Sequence, residues 1–147
     1  MAALTAAVPI EFDANRPPSL AQKKSSGTLT FFRGSILHAV TATGLLLKAP
    51  AAADWYTGVA WEGKATVAND LIFVAITGRF FWANTSFTDA NHERSFAMLA
   101  AALTDNPADL GLAAVGTAGT VGCLDHVAST AVNGWINTDR RALPENA

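Results

Sequence analysis

Three histidines, His38, His92 and His126, are the side chains of this 147-residue chain that exchange protons near neutral pH. None stands in a metal-ligand spacing such as His-x₃-His, and the single cysteine, Cys123, has no second thiol with which to share a metal or a disulfide. Asp125 and His126 are adjacent and Ser129 follows, the residue types of a hydrolytic triad. Triad members meet in space rather than in sequence, however, and no local motif supplies oxyanion donors. His92 and Glu93 could bind a metal only with remote partners. No Gly-x-Gly-x-x-Gly or phosphate-loop sequence is present. The residues point to no reaction, no cofactor and no metal, and the expectation is a protein that is not an enzyme.

Four tryptophans, Trp55, Trp61, Trp82 and Trp135, are the other conspicuous groups. A platform that stacks bases or sugars uses exposed aromatics beside positive charge, and only Arg79 is near one of them in sequence. Core or protein-interface aromatics are the simpler reading. Charge agrees: Lys and Arg number 10 against 12 Asp and Glu, for a net charge of −2 and no basic excess to neutralise phosphates. Nucleic acid is not an expected partner.

These groups must be carried by one domain's worth of chain, of which 50% is hydrophobic and only 15% charged. No apolar run approaches the roughly 20 residues of a membrane helix. The opening residues lack a positive region followed by an apolar stretch, so synthesis in a reducing cytoplasm is expected, with Cys123 a buried small hydrophobe on a strand.

The pattern from Thr28 onward has the period of two that marks strands. Thr28 to Phe32 and Ser35 to Val40 flank Arg33-Gly34, and a hairpin is the simplest reading. Trp55, Thr57, Val59 and Trp61 alternate with Tyr56, Gly58, Ala60 and Glu62. From Leu71 to Trp82, Ile72, Val74, Ile76, Phe80 and Trp82 share one face, with Leu71, Phe73, Ala75, Thr77, Arg79 and Phe81 on the other. That run is long for a strand, so Gly78 should mark a bulge, bend or turn. One helix is expected over about 90–103: Asp89 suits an N-cap, and His92, Phe96, Leu99 and Leu103 recur at helical spacing. Asn106-Pro107 could cap one further turn. Leu112 to Val115, Thr120 to Val127 and Gly134 to Thr138 read as short strands. The fold class expected is mainly β: a compact β-sandwich or β-barrel-like domain with one inserted α-helix and an extended N-terminal arm.

That arm is residues 1–27, leaving 28–147 as a single β-rich domain. Pro17 and Pro18 favour an extended course, and Val8, Ile10 and Phe12 alternate with other residues like a strand seeking a sheet edge. Few large apolar side chains are present to fix the arm to the body against about 1–2 kcal/mol of backbone entropy per residue. Val8, Ile10 and Phe12 are therefore expected to anchor it on a partner, with Pro17 and Pro18 keeping it extended and Arg16, Lys23 and Lys24 meeting acidic groups at the rim; the alternative is a frayed terminus or an edge strand of the protein's own sheet.

Three stretches together carry a resemblance. Tyr56-Thr57-Gly58-Val59-Ala60, then Asn69-Asp70-Leu71-Ile72-Phe73-Val74 running into Thr77-Gly78-Arg79-Phe80-Phe81, then Val121-Gly122-Cys123-Leu124 with Gly134-Trp135-Ile136, resemble the capsid decoration, or cement, proteins of tailed bacteriophages. The resemblance covers about residues 45–83 and 119–138. It implies a structural virion protein made in the host cytoplasm, which binds the outer surface of an assembled capsid and bridges its capsomers. The implied partners are the major capsid protein and other decoration subunits in a homo-oligomer such as a trimer, with no nucleic acid, membrane or cofactor. Trp55, Tyr56 and Trp61 are candidate interface aromatics. The alternatives are a β-domain of a phage tail or fibre, and a carbohydrate-binding module using the tryptophans.

Overall fold

A computed structural model of the chain describes residues 3–48, 54–98, 104–114, 120–128 and 133–140. Its strands are β1 (Glu11–Phe12), β2 (Ser19–Lys24), β3 (Leu29–Phe31), β4 (Ile36–Ala39), β5 (Leu46–Leu47), β6 (Trp55–Ala60), β7 (Lys64–Thr66), β8 (Leu71–Thr77), β9 (Arg79–Ala83), β10 (Ser95–Met98), β11 (Leu110–Leu112), β12 (Thr120–Val127) and β13 (Asn133–Asn137). The protein is mainly β, with 3₁₀ turns as its only helical elements among the described residues.

The strands named above pair antiparallel throughout, and one isolated parallel bridge joins Ser25 to Leu46. A six-stranded sheet has the order β1-β9-β13-β12-β10-β11, a five-stranded sheet the order β2-β8-β6-β4-β5, and β3 pairs with β7 alone. Alternation along the strands explains how these layers stack. Ile36, Val59 and Ala75 of the five-stranded sheet join Phe80, Trp82, Phe96, Leu124 and Ile136 of the six-stranded sheet in one core. Their neighbours Leu37, Ala60 and Val74 turn the other way and join Phe31 of β3 in a second core. The five-stranded sheet is thus covered on both faces, which accounts for its nearly continuous apolar strands.

The Leu71-to-Trp82 run breaks at Gly78 as expected, but its expected shared face does not persist across the break: Ile72 and Val74 lie in the second core with Ile76 against it, whereas Phe80 and Trp82 lie in the main core with Ala75. Gly78 divides it at φ +157, so β8 lies in one large sheet and β9 in the other. A Cβ at Gly78 would sit 3.2 Å from the Phe80 ring and from Pro18, so this corner admits little but glycine.

Three further expectations differ from the structure. The helix over 90–103 does not form across its described part: Asp89–Asn91 is a single 3₁₀ turn and Ser95–Met98 is strand β10, buried at every position between β12 and β11, while 99–103 fall outside the described residues. A turn does start at Pro107, with Asn106 as its N-cap accepting from the Ala108 amide at 3.0 Å. The hairpin across Arg33-Gly34 is absent too, because β3 pairs with β7 and β4 with β5 and β6.

The third difference concerns the arm. Its described residues are extended, but they are anchored on the same chain. β2 pairs with β8 over six residues, β1 pairs with β9, and the Val8 amide donates to the Arg33 carbonyl at 2.9 Å. Ile10 and Phe12 pack against the main core. Further back, the Leu4 amide donates at 2.9 Å to Asp105, a fully buried carboxylate that also accepts from the Ser35 hydroxyl at 2.6 Å and faces Lys48 at 3.8 Å. Backbone pairing supplies what the short list of apolar side chains did not.

Candidate functional site

Among the described residues, His38, His92, Cys123 and Asp125 are engaged in structure, while His126 is exposed. His38 is 1% exposed and lies edge-on to Tyr56. Cys123 is buried on β12 as expected, with its thiol 3.8 Å from the Glu93 carboxylate. Glu93 itself sits at φ +65, held there by its amide donating to the Leu124 carbonyl at 2.7 Å. Exposed His92 lies 3.6 Å from that carboxylate and 3.0 Å from the Asp125 carbonyl. Cys123 is closed to a substrate in this arrangement. The Asp125–His126 pair does not form a triad edge either: Asp125 accepts from Arg79 Nε at 2.9 and 3.1 Å, and Ser129 is outside the described residues. No group of three His, Cys, Asp or Glu side chains suited to a metal occurs among the described residues.

Arg79 ties several elements together. Its guanidinium also reaches Asp13 at 3.3 Å and lies 4.7 Å over the Trp135 ring, which in turn contacts Phe81 at 5.2 Å. Register explains the cluster: Glu11 faces Phe81, Phe81 faces Trp135 and Trp135 faces His126, one row across four strands on the outer face of the six-stranded sheet. Arg79 clamps the β1–β2 connection to β12 and shields this row. Arg79→Ala should lower stability by about 2 kcal/mol, because it leaves the largely buried Asp125 without its charged donor. Arg79→Lys should recover less than half of that loss, since a lysine offers neither the fork nor the stacking plane. Urea unfolding of the two variants measures both effects.

The expected interface residues separate into two groups. Val8, Ile10 and Phe12 are half-buried against the body, and Phe12 meets Trp61 at 5.7 Å between ring centres. Trp61 is half-buried under Arg33, and Tyr56 is buried. Arg16, Pro17 and Lys24 remain exposed, while Pro18 and Lys23 are half-buried. Trp55, by contrast, is 63% exposed.

Sequence reasoning missed a second exposed group. β2 is an outer strand of its sheet, and its Leu20 and Lys24 lie opposite Ala75 and Leu71, with Gln22 opposite Phe73. Leu20, Phe73 and Leu71 therefore share one face, and all three are more than two-fifths exposed. The signal lay in the second face of the Leu71-to-Trp82 alternation, whose large apolar members imply cover from something. No family model matches the chain, and no curated protein or solved structure matches it significantly.

Proposed function

We propose that the protein is a structural capsid decoration protein that docks on the outer surface of an assembled tailed-phage shell and bridges its capsomers. The observation that carries this reading is the strip of Leu20, Phe73 and Leu71 beside the outer edge of β2. An outer strand presents unpaired amides and carbonyls, and an apolar strip along it gives a partner both a ladder and a surface to bury. We read the architecture behind it as a β-sandwich formed by the two larger sheets, a rigid support for such a surface.

In this reading the partner is the major capsid protein, with other decoration subunits as further neighbours, and no cofactor takes part. A ligand of the assembled lattice that does not bind loose subunits stabilises the lattice by mass action, and many identical weak sites multiply the effect. The exposed Lys24 lies opposite Leu71 on the face of the strip and would favour an acidic rim on the shell.

The test is co-sedimentation of purified protein with undecorated shells. Wild-type protein should pellet with shells and raise the temperature at which they disrupt. Phe73→Glu combined with Leu71→Glu should weaken that binding by about a hundredfold, about 2.7 kcal/mol. Its unfolding midpoint should stay close to wild type, since both positions face solvent. Unchanged binding by this variant removes the strip as the docking surface, and absence of wild-type binding removes the decoration role.

A further inference from the structure

Trp55 is turned out of the core by a specific backbone irregularity. Leu37 pairs with Gly58 and His38 with Tyr56, so Thr57 is an extra residue and β6 reverses its facing at that point. Val59 and Tyr56 both reach the main core as a result, and Trp55 falls on the opposite face beside Ala39. Bulges of this kind recur where a side chain is aimed at a binding site.

The face that receives Trp55 is the one that β3 and β7 cover further along the sheet. Past that cover lies an open recess of about 390 Å³, lined by the Trp55 indole, Ile76, Ala39 and Val40, with Thr41 and Thr57 adding hydroxyls. Among the described residues Lys23 contributes the single lining charge; Asp54 stands behind the lining, 7% exposed, and accepts from the Thr41 hydroxyl at 3.4 Å. The volume lies in the usual range of small-ligand sites, about 300–1,000 Å³, and the mixture of apolar wall, few hydroxyls and one cation is typical of them.

We propose that this recess binds an acidic pyranose residue of a polysaccharide. The indole offers a flat apolar face for the ring's C–H groups, the threonine hydroxyls suit its hydroxyls, and the Lys23 ammonium complements its carboxylate. A neutral sugar would leave the cation unused, and the openness of the recess lets a chain continue on either side. This site is on the opposite face of β8 from the Leu71 and Phe73 strip, so it stands independently of shell docking.

The test is an NMR titration of ¹⁵N-labelled full chain, following the indole N–H resonances, with Trp55 assigned from Trp55→Phe, and the backbone amides of Ala39, Val40 and Thr57, which report binding in every variant. The probes are trigalacturonate, neutral maltotriose and a proline-rich peptide. Trigalacturonate should shift the Trp55 resonance saturably, bind at least about tenfold more weakly to Trp55→Ala, and lose its advantage over maltotriose in Lys23→Gln or at high salt. The other three indole resonances report that each variant is folded. The proposal is overturned by no Trp55 shift at about 20 mM trigalacturonate, by equal affinity for maltotriose, by undiminished binding to Trp55→Ala, or by stronger binding of the peptide.

Discussion

Deletion of residues 1–24 is expected to unfold the rest of the chain. The deletion removes all of β2, and with it a six-residue ladder on β8, as well as β1 and the Leu4 contact to buried Asp105. It also takes Ile10 and Phe12 off the main core, each worth about 1.5–3 kcal/mol if fully covered. With hydrogen bonds contributing about 1 kcal/mol apiece, the loss is on the order of 5–10 kcal/mol. A domain of this size has roughly 5–15 kcal/mol in total. Circular dichroism and a thermal scan of the truncated protein should therefore show no cooperative transition, or one lowered by tens of degrees, as this loss implies. A cooperative transition at the wild-type midpoint would mean that β8 and β9 do without these partners.

Phe96→Ala is expected to cost about 3–5 kcal/mol and to lower the unfolding midpoint by about 10–20 °C. Phe96 is fully buried in β10 and meets Phe87 edge-to-face, with ring centres 5.1 Å apart and planes at 89°. β12 and β11 hold it on either side, so the backbone around the vacated space is tied by two ladders and cannot close in. Denaturant unfolding gives the value directly. A loss under about 1 kcal/mol would show that the core collapses around the alanine.

Phe96 also shows how far the fold is legible in the sequence. Its burial follows from residue type, but its element does not: Ser95–Met98 is covered on both faces, so no polar alternation marks it as a strand. A short apolar run without alternation fits a helix stripe equally well. In the Leu71-to-Trp82 segment the strands and the break at Gly78 read correctly, but both faces of β8 enter a core, so alternation alone does not tell which core each apolar residue joins. Partners distant in sequence are what local patterns cannot convey. Arg33-Gly34 has the chemistry of a hairpin turn, yet β3 leaves to pair with β7 across the intervening strands. Residues 1–27 look unanchored only when side chains are counted without the ladder that β8 offers. At the candidate sites, the types of Trp55 and Lys23 are visible in the sequence. The bulge at Thr57, which places Trp55 beside Ala39, is not.

The place of β13 has a consequence for how the protein is made. This strand, late in the chain, lies between β9 and β12 rather than at a margin. While a ribosome is still short of Asn137, β9 and β12 have no common neighbour and the six-stranded sheet stays in two parts. The earliest residues wait as well, since Glu11 needs Phe81 and Lys24 needs Leu71. Domain folding during translation proceeds from the first residues when their partners are close at hand. Here the five-stranded sheet can close once Thr77 has emerged, whereas β9 and β12 keep an open edge each until β13 arrives to join them.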